Sequence, residues 1–145
     1  MIPELGIEKG ELTQCPSTPN CVSSQAKNDK HYIEPLIVKG TAAEVKKRLL
    51  NVLNQQPGAE IIVDDVNYVR ATFTSKLFRF VDDTEFYFPS ITLREITSPD
   101  KTPKEIVIHM RSASRVGYSD LGANRKRLER IRSELFNPIS PTKSR

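Results

Sequence analysis

β-forming segments follow one another through the middle of this chain with short connections, and only two helical stretches interrupt them. That succession constrains the fold more than any other feature. Thr41-Ala42-Ala43-Glu44 has the form of a capping box: Thr caps a helix start and Glu reaches back. Val45, Leu49, Val52 and Leu53 recur at helical spacing, so an amphipathic helix is expected over Thr41 to Asn54. Gln56-Pro57-Gly58 ends it.

Ala59 to Val63 is a short β-rich run, and Asp64 to Asn67 reads as a turn. Tyr68 to Ser75 alternates polar and apolar residues as a half-buried strand does. Lys76 to Phe88 holds Phe78, Phe80, Phe86, Tyr87 and Phe88, and reads as one long strand or as two broken near Asp82. Ser98 to Lys104, with two prolines, is expected to be a loop. In the strand expected over Ile106 to Ser112, Ile106, Ile108 and Met110 share a face. A polar connection, Arg115 to Gly122, leads to a last helix over about Ala123 to Phe136, with Leu128, Ile131 and Leu135 as its buried stripe. Upstream of the first helix, His31 to Val38 reads as a first strand, which Pro35 would place at an edge or a bulge. Strands in succession with short connections predict an α+β fold: a mostly antiparallel sheet with two helices packed on one face.

The 145 residues suit one domain. Residues 1–30 form an irregular lead-in, 31–136 the α+β domain, and 137–145 a Pro/Ser/Lys tail expected to fray. The net charge of +4 permits attraction to anions. It does not favour nucleic acid, which needs a concentrated basic face. No run approaches the roughly 20 apolar residues that cross a bilayer. Met1 to Glu11 has no apolar core of a signal peptide, so the chain as given is expected in the cytoplasm. A signal trimmed beforehand would place it in the cell envelope or periplasm. The oligomeric state is not set by the sequence.

Three segments carry a resemblance. They are Cys15-Pro16-Ser17-Thr18-Pro19-Asn20-Cys21-Val22-Ser23-Ser24, Phe78-Arg79-Phe80-Val81-Asp82-Asp83-Thr84-Glu85-Phe86, and the run from Arg111-Ser112-Ala113-Ser114-Arg115 through Gly117-Tyr118-Ser119-Asp120 to Asn124-Arg125. In order and wording the chain resembles the bacterial and plastid family called domain of unknown function 1499, from about Leu12 to Phe136. The resemblance implies no established reaction. Many members are exported or tethered to membranes. Pro89 to Lys104 is longer than the family's usual connection, so a local insertion is expected there.

Cys15 and Cys21 enclose a loop with two prolines, which bend the chain back and bring the sulfurs within bridging distance. A structural disulfide and reduced thiols both stay open. The spacing is neither that of a thioredoxin-like motif nor that of a zinc pair, and no metal site or cofactor is expected. Asp82, Asp83 and Glu85 interrupt the aromatic strand, and in a regular strand Asp82 shares a face with Phe78, Phe80, Phe86 and Phe88. A carboxylate on an apolar face has to be paired or neutralised. Arg111 and Arg115 are the expected partners. The result is either a structural ion-pair network or a carboxylate with a shifted pKa acting as acid or base.

Ser112, Ser114, Tyr118, Ser119, Asp120, Asn124 and Arg125 crowd polar groups into the connection to the last helix. Asp120 is placed to cap that helix. The same helix start, with Ser hydroxyls and Arg guanidinium groups, also suits an anion. The basic residues of the last helix read first as a solvated face and second as an interaction face. No known catalytic motif is present, and nothing in the sequence places His31 or His109 beside a serine. The expected function is a small non-catalytic binding or accessory domain for an anionic or polar ligand. Its expected pocket lies between the sheet and the last helix, lined by Asp82, Asp83, Glu85, Arg111, Arg115, Tyr118 and Asp120. The alternatives are an enzyme using one of the carboxylates as general acid or base, and an interaction domain acting through the basic last helix.

Overall fold

The computed structural model describes residues 4–97 and 102–136. Residues 98–101 of the expected Ser98 to Lys104 loop, and the tail from Asn137 onward, lie outside the described residues.

Two short strands, β1 (Ile7–Glu8) and β2 (Glu11–Leu12), pair with each other. The main sheet contains β3 (Cys21–Ser23), β4 (Leu36–Gly40), β5 (Ala59–Asp65), β6 (Tyr68–Thr74), β7 (Val81–Tyr87) and β8 (Lys104–Ser114). Every strand pair is antiparallel, and the order runs β3-β8-β7-β6-β5. β8 is the longest strand. It pairs with β4 along Lys104 to Ile108 and with β3 along Arg111 to Ala113.

The helices are α1 (Ala42–Asn54), α2 (Leu93–Thr97) and α3 (Ala123–Phe136). α1 starts where its capping box predicts. Thr41 Oγ1 accepts the N–H of Glu44, and the Glu44 carboxylate accepts the N–H of Thr41, both at 3.1 Å. Its buried stripe, Val45, Leu49 and Leu53, meets Leu128, Ile131 and Leu135 of α3 over Val69, Phe73, Phe86 and Met110 of the sheet. Burial of each such large side chain contributes about 1.5–3 kcal/mol. Arg48 of α1 donates to the carbonyl of Leu135 and joins the two helices directly. The α+β architecture with helices on one sheet face is therefore as expected.

Four local expectations change. The strand expected from His31 begins at Leu36, directly after Pro35, which has no N–H to give a ladder. The strand expected from Lys76 begins at Val81. Residues 75–80 instead close a turn, with Ser75 N–H donating to Phe80 O and Phe80 N–H to Ser75 Oγ, both at 2.8 Å. Phe78 and Phe80 thus leave the apolar face and stack on each other in solvent. The lead-in is not wholly irregular, since β3 starts at Cys21 as soon as the proline-bearing loop ends. The short helix α2, which packs against α1, occupies part of the connection expected to hold an insertion.

Candidate functional site

Strand alternation divides the expected pocket in two. On β7, Asp82, Thr84 and Phe86 face the helices, while Asp83, Glu85 and Tyr87 face the other way. Register extends the division to β8. Ser114 and Ser112 stand opposite Asp82 and Thr84, whereas Ala113 and Arg111 stand opposite Asp83 and Glu85. The acids and arginines expected around one pocket therefore belong to two sites separated by the sheet.

On the helix side, Asp82 pairs with Arg127 of α3 at 2.9 Å. The Arg127 guanidinium lies over the Phe73 ring, 4.5 Å from its centre, and donates to Asn124 Oδ1 at 2.9 Å. Burial lowers the Arg127 pKa from its ordinary value, and Asp82 opposes that shift. Ser112 donates to Asn124 Oδ1 at 2.6 Å and meets Thr84 Oγ1 at 2.8 Å. Asn124 Nδ2 donates to Ser114 Oγ, Asp120 Oδ2 and the carbonyl of Asn20. Asp120 caps α3, accepting the N–H of Gly122 at 2.8 Å and of Asn124 at 3.1 Å. Burial pushes the Asp120 pKa up, but the hydrogen bonds from Asn124 and Gly122 outweigh it and hold the carboxyl below its ordinary value.

On the opposite face, Glu85 is fully buried. Tyr68 donates its hydroxyl to Glu85, and Arg111 lies 3.4 Å away. Burial raises the Glu85 pKa against the pull of Tyr68, Arg111, Arg70 and the Gly6 N–H. The Tyr68 pKa is raised by burial and by the neighbouring carboxylate. Arg115 grips Asp83 with two bonds, at 2.8 and 3.0 Å. Arg70 Nε stands 3.8 Å from the same carboxylate. The lead-in covers this face. Arg111 donates to the carbonyl of Gln14, and Leu12 packs on Tyr68 and Tyr87. A disulfide joins Cys15 to Cys21 across 5.7 Å between Cα atoms, so the covering segment is tied to β3.

A cleft of about 610 Å³ opens on the helix side at one end of the sheet. The turn between β6 and β7, the connection from β8 to α3, and the first turns of α3 form its walls. Of the residues expected to bind a ligand, Asp82, Ser114 and Asp120 line it. Ser112 and Asn124 are buried among their hydrogen-bond partners beside it. Tyr118 is exposed on the wall loop. Asp83, Glu85, Arg111 and Arg115 belong to the other face. Arg125 is taken up by the segment before β4, donating to the carbonyls of Tyr32 and Lys30.

The cleft also contains Lys76, Arg79, Arg127 and Arg130, none of which the sequence singled out for a ligand. Arg127 was legible in principle, since it lies three residues beyond Asn124 and so on the same side of the helix. The basic residues of α3 are not simply a solvated face. Arg132 donates to the carbonyls of Glu34 and Pro35, and Arg130 to Gln56 Oε1. A serine and a histidine do meet: Ser24 Oγ lies 2.8 Å from His109 Nδ1. Ser24 is buried and also accepts the N–H of Met110, which fixes the chain after β3 to β8.

The family model described as a protein of unknown function (DUF1499) matches residues 11–135. The chain belongs to the DUF1499 family. That match spans both faces of the sheet, from the covering lead-in to the end of α3. No curated protein and no solved structure gives a significant match. Among the described residues of this DUF1499 domain, no helix is long and apolar enough to cross a membrane. No group of three or more metal-binding side chains occurs among them either.

Proposed function

We propose that this domain is a non-catalytic binding domain that takes a small anionic ligand in the cleft beside α3. The supporting observation is the charge state of that cleft. Both of its acids are already engaged, Asp82 by Arg127 and Asp120 by the start of α3. Lys76 and Arg79 line it as exposed cations, with Arg130 on the helix wall. A guanidinium group suits a carboxylate or phosphate, since it donates two parallel bonds. Phe80 and Val116 add apolar lining, so an anion with an apolar portion fits better than a bare ion.

The use of a carboxylate as acid or base has less support. Glu85 has the raised pKa that such a role needs, but it is fully buried, paired with Arg111 and Tyr68 on the face that the lead-in covers. The interaction role for α3 is weakened because Arg125, Arg127 and Arg132 are each bonded within the domain.

Titration of the intact chain with inorganic phosphate and with phenyl phosphate, followed by amide NMR, tests the proposal. Saturable shifts are expected at Ser114, Gly117 and Ala123, stronger for phenyl phosphate and reduced in Arg130→Glu. An absence of saturable shifts with both anions overturns it. Mass spectrometry of small molecules retained through gentle purification identifies the natural ligand.

A further inference from the structure

Two loops at the cleft end of the sheet leave large apolar side chains in water. The turn Lys76-Leu77-Phe78-Arg79-Phe80 exposes Leu77 at 78%, Phe78 at 66% and Phe80 at 55%. The connection after β8 exposes Val116 at 61%, Tyr118 at 69% and Leu121 at 87%. The loops adjoin, because the Arg115 N–H donates to Val81 O at 3.0 Å and Asp82 stands opposite Ser114. A single exposed apolar residue means little, but a group on neighbouring loops marks an interaction surface.

We propose that this end of the domain docks on an anionic lipid surface, with the two loops inserted at the level of the headgroups. The choice of occupant rests on charge. Lys76 and Arg79 are interspersed among the apolar side chains of the turn and are exposed, so cations and apolar groups occupy one short segment. That combination matches interfacial binding, in which apolar burial and attraction to anionic headgroups add. A hydrophobic protein partner would gain from the apolar side chains alone and would have to desolvate the two cations. The surface shares Lys76, Arg79, Phe80 and Val116 with the small-ligand cleft and extends beyond it through Leu77 and Phe78, which lie outside the cleft lining.

Flotation of the intact chain with vesicles tests the proposal, using phosphatidylcholine alone and phosphatidylcholine mixed with phosphatidylglycerol. Binding to the mixed vesicles is expected, with little to phosphatidylcholine alone and a decline as salt rises. The double variant Leu77→Glu, Phe78→Glu should keep the wild-type melting temperature and lose about tenfold or more in vesicle affinity. Lys76→Gln, Arg79→Gln should lose about fivefold for each removed cation. Equal binding to both vesicle types, or unchanged binding in both variants, overturns the proposal. Self-association in sedimentation velocity that Leu77→Glu, Phe78→Glu abolishes, without vesicle binding, also overturns it and assigns the face to a second copy. Flotation and the phenyl phosphate titration are both read on the wild-type chain, so absence of vesicle binding beside saturable phenyl phosphate shifts defeats this proposal alone.

Discussion

Arg111 and Glu85 stand directly opposite each other on β8 and β7, and their ion pair is buried on the sheet face away from the helices. The pair forms the centre of a network in which Tyr68 also donates to Glu85 and the carbonyl of Gln14 accepts from Arg111. Asp82, three residues away in sequence and therefore on the opposite face of the sheet, belongs to Arg127 instead.

That pairing fixes the partner for a double-mutant cycle. Arg111→Met is expected to destabilise the domain by about 3–5 kcal/mol, because it leaves a buried carboxylate without its counter-charge. Glu85→Gln should recover part of the loss, since the amide oxygen still accepts from Tyr68 and no charge is stranded. Asp82→Asn should recover none of it. Denaturant unfolding of the four proteins measures the coupling, and a rescue by Asp82→Asn that equals or exceeds that by Glu85→Gln would contradict the pairing.

Glu85 also gives a pH signature. Its folded pKa is raised above the ordinary 4.5, with burial the largest cause. The folded state then holds the proton more tightly than the unfolded state. Its contribution to stability is full below pH 4.5 and is lost as pH rises through the folded pKa. The stability difference between wild type and Glu85→Gln should therefore change with this sign above pH 4.5, in favour of the variant. Other groups cancel in the difference if their own pKa values are unaltered. A pH-independent difference would mean that Arg111, Arg70 and Tyr68 together offset the burial.

Much of the fold was legible because its signals are local. The capping box at Thr41, the helical spacing of Val45, Leu49 and Leu53, and the stripe Leu128, Ile131 and Leu135 predict both long helices to within a residue. The site was less legible because it depends on register and on a covering layer. Alternation in Tyr68 to Ser75 predicts a half-buried strand, with its polar face toward water. The lead-in instead buries that face, and Arg70 and Tyr68 become part of the network. No periodicity in residues 4–20 announces that role. The turn at 75–80 was hidden for a different reason: its aromatic residues have high β-propensity, but Arg79 takes a positive φ of 58° and breaks the strand.

Gly58 provides a test of the sheet end below the cleft. Its φ is +76°, and an added Cβ would stand 2.5 Å from the Thr74 carbonyl oxygen. The Gly58 carbonyl also accepts the Thr74 N–H at 2.9 Å, so the approach cannot relax without losing a ladder bond. Gly58→Ala should destabilise by more than about 1 kcal/mol, as Ala does at a positive φ with a close contact. Thermal melting reads the effect. An unchanged midpoint would mean that the β5 and β6 ends are not held together here.

The disulfide should stabilise the covering lead-in. Denatured, non-reduced protein from an oxidising compartment should show no titratable thiol, and two thiols would remove the bond. Cys15→Ser with Cys21→Ser should cost about 2 kcal/mol, from the entropy released to so short a loop. Hydrogen exchange should quicken first at Leu12 to Gln14, which cover Arg111, and later in α1. Uniform quickening would show that the lead-in and the helices open together.

Asp120 gives the opposite pH sign from Glu85 and tests the start of α3. Its carboxylate accepts from two backbone N–H groups and from the Asn124 side chain. Asp120→Ala removes the cap and should cost about 1 kcal/mol near neutral pH. Asp120→Asn should cost less, because an amide oxygen still accepts one of those bonds. The folded pKa is held below the ordinary 3.8, so this contribution is present above pH 3.8 and is lost as pH falls through the folded value. The penalty of Asp120→Ala should therefore shrink in acid, while the penalty attached to ionised Glu85 in wild type disappears over a higher range. Carbon-detected NMR titration of the two carboxyl groups separates them directly. An Asp120 midpoint at or above 3.8 would mean that the α3 cap does not favour the charged form, and the cleft's second acid would then be open to a ligand.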